Sequence, residues 1–386
     1  MRIAIIGTRG IPDHYGGFEQ CAEYLAAALV KKGYEVVVYN SHKHPYHEKT
    51  WNSVDIRHCY DPTPRLGSIG RFLYAYNCIK DLRKTKFDVI LQLTHLSSSV
   101  WGWFLPRNTV VTTHISKPVY TNSVAAVFYN PVLRIAEKLT ARRSNYLITN
   151  SAEMQDHLSH KYGKKVHLVP YGASVFEQQD PDLLTEFEVE INQYDLLVSK
   201  IIPENNIETI LDGVVEANTE RVFLVVGNTN NDYGTYLVAK FNYFKDIVFC
   251  GGIDNRNKLN NLRYYSNLCF SCAVGYQSDD LLEAMASNSL ICTNDSQPNR
   301  AILGNDALYF LIAADVADHL TTAKKSDAHY EQLIANNKQK VTEFYSCKTM
   351  IKAYTDHLES IVTTKRIKVY RPRVSKPRVS FLLKNS

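Results

Sequence analysis

Twice along this chain a series of short, strand-like apolar runs alternates with segments of helical periodicity, and that repeated alternation limits the fold more than any other feature. The first series runs through Ile3–Ile6, a helix near Gly17–Lys32, Glu35–Tyr39, Val54–Arg57, a helix around Ile69–Arg83, Phe87–Leu91, Thr109–Thr113, a helix near Ala125–Arg142, Tyr146–Thr149 and Val166–Val169. The second restarts at Tyr194–Val198 and continues through a helix at Glu204–Glu216, Arg221–Val226, Ile247–Phe249, Leu268–Cys272, Leu290–Cys292 and Leu308–Phe310. Short connections between alternating elements imply parallel strands joined by crossover helices. The class is therefore α/β, with two doubly wound domains, each having an early strand that ends in glycine, Gly7 and Gly227. A chain of 386 residues is also too long for one ordinary core. The polar stretch Tyr171–Asp180 marks the boundary, which gives domains over 1–172 and 173–345, a helix over 346–364 and a basic tail over 365–386. Apolar residues at helical spacing between Ala328 and Ile361 predict a helical stretch returning across the first domain. Ligands of open α/β sheets sit at the carboxyl ends of the strands, so the expected site is the cleft between the domains.

Composition narrows the class further. With 45% apolar and 22% charged residues, and no apolar run near the roughly 18 residues of a membrane span, the chain reads as a globular protein that does not cross a bilayer. The N-terminus enters a strand directly and lacks a signal-peptide cleavage site, so the expected location is cytoplasmic. Eight scattered cysteines read as reduced, and the Cys269–Cys272 spacing reads as a buried strand rather than half a metal site. The segment Lys365–Ser386 carries eight cations and no acid, more than the whole net charge of +5, so the body is mildly acidic. That tail fits a solvated terminus, an anionic-lipid contact or a nucleic-acid arm; its interleaved Val369, Tyr370 and Phe381 favour a membrane surface, and no nucleic-acid partner is expected.

The most informative segment is Ile6–Glu19, which leaves the first strand and enters a helix through two glycine-bearing turns. Glycines let backbone lie against a ligand, and the helix opening at Gly17 offers unpaired N–H groups to an anion. The spacing is not that of a dinucleotide fingerprint, and the second strand ends in Tyr39-Asn40 where an acid would meet a ribose. A nicotinamide dehydrogenase is disfavoured.

Gly7-Thr8-Arg9-Gly10-Ile11-Pro12 followed by Tyr15-Gly16-Gly17-Phe18-Glu19 resembles the opening of the rhamnosyltransferase-like branch of the GT-B glycosyltransferases, of the family four type. The likeness continues through Pro203–Glu208, Gly251–Ile253, Leu281–Ser287 and Asn299–Gly304. It implies two Rossmann-like domains facing across a cleft and a nucleotide-diphosphate sugar donor held mainly by the second domain, as substrate, with no other cofactor and no metal. The residues it implies for the donor are Gly16 and Gly17 from the first domain and Lys200, Asn205, Gly275, Leu281, Leu282 and Glu283 from the second. Glu283 would accept from the ribose, the helix start at Leu281 would bind diphosphate, and Asn205 stands where more distant relatives carry a second cation. Two loops depart from the branch: His114–Tyr120, where His114 matches a catalytic position of the wider superfamily, and Gly275–Asp280, whose acids are expected to cap the helix at Leu281. Acceptors of such enzymes are glycans or polyprenyl-diphosphate-linked sugars, as in bacterial surface polysaccharide synthesis. Arg65–Tyr76 with Trp101, Trp103 and Phe104 supplies cations and aromatics for a peripheral contact with the inner face of a membrane. The alternatives are a catalytically silent GT-B binding protein and a nucleotide-sugar epimerase.

Overall fold

The computed structural model describes residues 1–12, 17–94, 98–106, 109–115, 126–271 and 279–369. In chain order the first domain contains β1 (Arg2–Ile6), α1 (Gly17–Lys31), β2 (Glu35–Ser41), β3 (Thr50–Trp51), β4 (Val54–Cys59), α2 (Thr63–Leu82), β5 (Val89–Thr94), β6 (Val110–Ile115), α3 (Ala126–Arg143), β7 (Tyr146–Thr149), α4 (Ala152–Tyr162) and β8 (Val166–Leu168). Its eight strands lie in the order β3-β4-β2-β1-β5-β6-β7-β8. Every pairing is parallel except the short β3 against β4. The second domain follows with β9 (Tyr194–Val198), α5 (Ile207–Ala217), β10 (Val222–Val226), α6 (Asp232–Phe241), β11 (Ile247–Gly251), α7 (Arg256–Tyr265), β12 (Cys269–Ser271), α8 (Asp279–Ala286), β13 (Ile291–Asn294), α9 (Gln297–Leu303), β14 (Leu308–Phe310), α10 (Ala313–Thr322), α11 (Ala328–Glu343) and α12 (Cys347–Val369). Its six strands are all parallel, in the order β11-β10-β9-β12-β13-β14.

Burial follows the sequence pattern. Ile3, Ile5, Val36, Val38, Val89 and Leu91 form one layer of the first sheet, with Phe18, Cys21, Leu25 and Leu29 of α1 packed on it. Ile207, Ile210, Leu211 and Val214 of α5 seal one side of the second sheet against Phe223, Val225 and Phe270. Sheets buried on both faces need such continuous apolar strands, which explains why β10 reads Val-Phe-Leu-Val-Val.

Several boundaries differ from expectation, and the reason is visible at three of them. α2 starts at Thr63, because the Asp61 carboxylate accepts from the Thr63 N–H at 2.9 Å, and its course is kinked at Gly67, where φ is 53°. The helix predicted from Glu204 begins at Ile207, because Asn206 adopts left-handed φ and closes a 3-10 turn over Pro203–Asn205. The helical stretch predicted from Ala328 to Ile361 is two helices, parted at Phe344–Ser346, beside the predicted start of a separate helix at 346. There the interdomain crossover intervenes: the Ala173 N–H donates to Tyr345 O at 2.8 Å and Cys347 N–H donates to Ala173 O at 3.3 Å. Ser346 Oγ then accepts from the Thr349 N–H at 3.1 Å and caps α12. Gly172 has no alternative at this crossing, since a Cβ there would lie 2.7 Å from Cys347 Cα.

α12 returns to the first domain as expected and continues to Val369, beyond the predicted end at 364. Lys32 Nζ meets Glu359 at 3.1 Å, and His357 Nε2 meets Thr112 Oγ1 at 3.0 Å. Met350, Tyr354, Leu358 and Ile361 are buried in the same cluster as α1 and the first sheet. The basic tail from Tyr370 onward lies outside the described residues.

Candidate active site

Each sheet reverses its strand order once near the middle, between β1 and β5 in the first and between β9 and β12 in the second. Reversal sends the flanking crossovers to opposite faces and opens a crevice at the carboxyl ends of the two strands. The loop after β1 leaves the first of these points. Gly7 passes so close to β5 that a Cβ would lie 2.2 Å from Leu93 O, and Gly10, at φ 134°, abuts the Asn40 side chain. Asn40 Oδ1 accepts from the Ile11 N–H at 3.1 Å while its Nδ2 donates to Ile11 O at 2.7 Å. Tyr74 donates from its hydroxyl to Thr8 O, His44 Nε2 meets Pro12 O at 3.0 Å, and the Arg9 N–H donates to Glu19 on α1 at 2.9 Å. The loop is thus fastened residue by residue up to Pro12. Gly16 lies outside the described residues, and Gly17 opens α1.

At the second point β12 pairs with β9 so that Ser271 lies beside Val198, which places the two exits next to each other. Lys200 follows β9 and is exposed. Asn205, expected at the donor, is instead buried, and its Nδ2 donates to Ser199 Oγ at 2.9 Å and Lys200 O at 2.8 Å. Its amide braces the turn that carries Lys200. Gly227 follows β10 where any Cβ would collide with Ser199 O at 2.2 Å, so it too keeps this turn close.

Helix α8 begins at Asp279, ahead of the predicted Leu281, so Asp280 occupies the first turn and is no cap. An acid there complements the helix dipole. Asp280 Oδ1 lies 3.5 Å from Arg263, which also donates to Glu283 Oε2 at 2.7 Å and to Asn260 at 3.0 Å. Arg256 reaches the other Glu283 oxygen at 3.1 Å. The carboxylate expected to stand open for a ribose is therefore held by two guanidiniums, one of them on the fully buried Arg263. Leu281 and Leu282 bury their side chains, leaving only their backbone for a ligand. Gly275 and the loops 116–125 and 272–278 lie outside the described residues.

His114 is the penultimate residue of β6 and is 1% exposed. Its Nδ1 is hydrogen-bonded to the Tyr354 hydroxyl, its ring stacks on Tyr171 at 5.8 Å, and Phe18 meets it edge-on at 5.2 Å. The sequence expected a side chain facing a donor sugar. The structure encloses it between α1, the crossover and α12, because the strand end it occupies is where the returning helix docks.

Residues 15–175 match the model described as Glycosyltransferase Family 4. Among solved structures, sucrose-phosphate synthase from Thermosynechococcus elongatus superposes with a TM-score of 0.75 at 16% identity, over 94% of this chain and 99% of that one. Anabaena HepE, solved with UDP and glucose, gives 0.69 at 14%, over 93% and 100%. The UDP-forming trehalose-phosphate synthase of Burkholderia xenovorans, solved with glucose-6-phosphate, gives 0.71 at 10%, over 93% and 100%. No curated protein sequence matches the chain.

The fold is GT-B.

Within the GT-B frame the two switch points supply complementary chemistry. The first domain presents a glycine-rich backbone loop tightly tied to its sheet. The second presents an exposed ammonium, Lys200, after β9 and the start of α8 after β12, two groups of the kind that neutralise a diphosphate. Sequence reasoning missed the roles of Arg263 and Arg256 on α7, although Arg263 falls in the stretch Leu259–Asn267 that shares the family resemblance. The physical signal was a buried-pattern arginine in a helix whose neighbours Leu262 and Tyr265 read as core. It also missed Asn40 as the brace of the first loop, although an amide at a buried strand end was visible.

Proposed function

We propose that this chain is a metal-independent glycosyltransferase that moves a hexose, rhamnose among the candidates, from a nucleoside-diphosphate donor to a glycan or polyprenyl-diphosphate-linked acceptor in surface polysaccharide synthesis. The observation that carries the reading is Lys200 and the start of α8 flanking the switch point of the second sheet, in a chain whose first domain matches a glycosyltransferase family. UDP is the favoured nucleotide, since the structurally similar proteins include complexes with UDP and UDP-glucose. Transfer breaks the bond between the anomeric carbon and the diphosphate oxygen and forms one from that carbon to an acceptor hydroxyl oxygen, whose proton is released with the nucleoside diphosphate, and negative charge grows on the departing diphosphate. Lys200 and the backbone N–H groups of the first turn of α8, up to Leu281, stabilise that charge, with Leu282 packing the turn from beneath. Gly16, Gly17 and Gly275 would allow close backbone approach. Glu283 would accept from the ribose by sharing oxygens already held by Arg256 and Arg263, since an ionised carboxylate has about four lone-pair sites. His114, enclosed as it is, would act by fixing Tyr171 and Phe18 at the wall of the cleft.

Access to a lipid-linked acceptor needs a membrane-facing surface. Leu66, Ile69, Leu73, Trp103 and Phe104 are exposed together with Arg65 and Arg71, and the Arg143 guanidinium lies 3.9 Å over the Trp103 ring. No helix among the described residues is long and apolar enough to cross a membrane. Apolar and cationic side chains side by side suit peripheral attachment at an anionic inner leaflet.

The reading is tested by thermal-shift titration of UDP, GDP, dTDP and their hexose conjugates against the wild type, Lys200→Ala and Glu283→Ala. Stabilisation by one nucleotide, lost in Lys200→Ala, supports it and names the base. One observation favours a second reading, a GT-B protein that binds without turnover: both Glu283 oxygens already have arginine partners. Retained nucleotide binding with no release of nucleoside diphosphate in the presence of lipid-linked or glycan acceptors would select it.

A further inference from the structure

A cavity of about 440 Å³ opens on the second domain away from the cleft, within the ordinary size range of small-molecule sites. Its wall includes Asn192, Tyr264, Tyr265, Asn288, Lys325 and Glu331. Asn192 precedes β9 and Tyr265 precedes β12, so the cavity lies at the amino ends of the strands whose carboxyl ends carry Lys200 and α8. It uses none of the residues assigned to the donor.

Lys325 is the unusual member. Its side chain is 8% exposed, yet among the described residues its ammonium has a single hydrogen-bond acceptor, the Tyr264 carbonyl, and no carboxylate within 4 Å. Burial pushes its pKa down to about 8. A buried cation without a counter-charge is costly, and proteins normally pair it. The position is nonetheless firmly built. The Lys325 N–H donates to Asn267 Oδ1 at 3.1 Å, and Asn267 Nδ2 donates to the buried Asp195 at 3.1 Å, which is itself paired with Arg221 at 2.9 Å. The Tyr264 ring lies 5.5 Å from the ammonium and meets Tyr265 edge-on at 4.9 Å.

We propose that this cavity is a binding site for a small acidic sugar, its carboxylate or phosphate paired with Lys325 and its ring packed on Tyr264. The amides of Asn192 and Asn288 can both donate to and accept from hydroxyl groups. Tyr264 supplies apolar ring surface of the kind that covers a sugar face. The occupant is set by the unpaired cation, which selects an acid over a neutral sugar of the same shape. At the far end of the sheet from the cleft, such a site would retain or sense a charged glycan without competing for the donor.

The test is isothermal titration of the full chain with glucuronate, glucose 6-phosphate, glucose and inorganic phosphate. Glucuronate or glucose 6-phosphate is expected to bind at least tenfold more tightly than glucose and than phosphate alone, and the stronger of the two identifies the anion. Lys325→Met should abolish binding, whereas Glu331→Gln, an exposed change that leaves the core untouched, should tighten it by about threefold through removal of one exposed like charge. Saturating UDP should leave the affinity unchanged. Equal binding of glucose, no binding of either acid, no response to Glu331→Gln, or displacement by UDP would overturn the proposal. Nucleotide binding in the absence of acidic-sugar binding would leave the transferase reading standing and remove only this one.

Discussion

Asn40 holds Ile11 by both polar groups of its backbone, accepting from the N–H at 3.1 Å and donating to the carbonyl at 2.7 Å. A carboxylate of the same shape could perform only the first of these. Asn40 is fully buried, so Asn40→Asp would face the Ile11 carbonyl with an uncompensated charge. We expect Asn40→Asp to destabilise the protein by about 3 kcal/mol in urea denaturation, and Asn40→Ala by less, since a buried donor or acceptor left unpaired costs about 1–3 kcal/mol and a charged one more. Equal stabilities of the two variants would show that the clamp is not what fixes the loop. The same pair gives a physical reason for the missing acid at the end of β2: the position is occupied by a structural amide.

Arg263 and Glu283 form the second relationship with a measurable consequence. Removing only one partner of a buried pair leaves a charge uncompensated, at a cost of about 3–5 kcal/mol, while replacing both is often near neutral. Arg263→Met is expected to lower stability by that order, and Arg263→Met with Glu283→Leu to recover most of it. A double-mutant cycle by chemical denaturation measures the coupling. Nucleotide affinity should fall in both, since Glu283 loses its anchor in one and its carboxylate in the other.

His357 on α12 is buried beneath β6, and its pKa is lowered to about 4, first by burial and then by His167, whose ring lies 4.3 Å away. The unfolded chain protonates this ring near pH 6.5, the folded one only near 4, so the unfolded state binds more protons between these values. Stability is therefore full above pH 6.5 and falls as the pH drops toward 4, on the order of 3 kcal/mol at the limit. His357→Gln should flatten that slope. A denaturation series from pH 4 to 7.5 on both proteins checks it, and an unchanged slope would show that other groups dominate. His167, lowered by burial and Lys165, contributes in the same direction.

Trp103 is 65% exposed and Ile69 is 66% exposed. If this face rests on an anionic leaflet, Trp103→Ser with Ile69→Ser should weaken co-sedimentation with phosphatidylglycerol vesicles by about tenfold or more, on the basis of roughly 25 cal/mol for each Å² of apolar area withdrawn from water. Binding to neutral phosphatidylcholine vesicles should be weak for wild type and variant alike. Wild type that ignores both lipids would remove the peripheral reading.

The sequence by itself determined the two doubly wound sheets, because continuous apolar strands and amphipathic helices in alternation admit few other packings. It also placed the loop after β1, the exposed Lys200 and the helix carrying Glu283, because glycines, a cation and a helix start are local signals. Only the tertiary structure decided what those groups face. It spread α7 beneath α8 so that Arg263 and Arg256 take the Glu283 carboxylate, buried Asn205 as a brace, and closed α12 over His114. It also paired Ala173 with the backbone at Ser346, between α11 and α12. Each of these depends on residues far apart in the chain, and sequence periodicity reports which face of an element is buried but not which partner covers it.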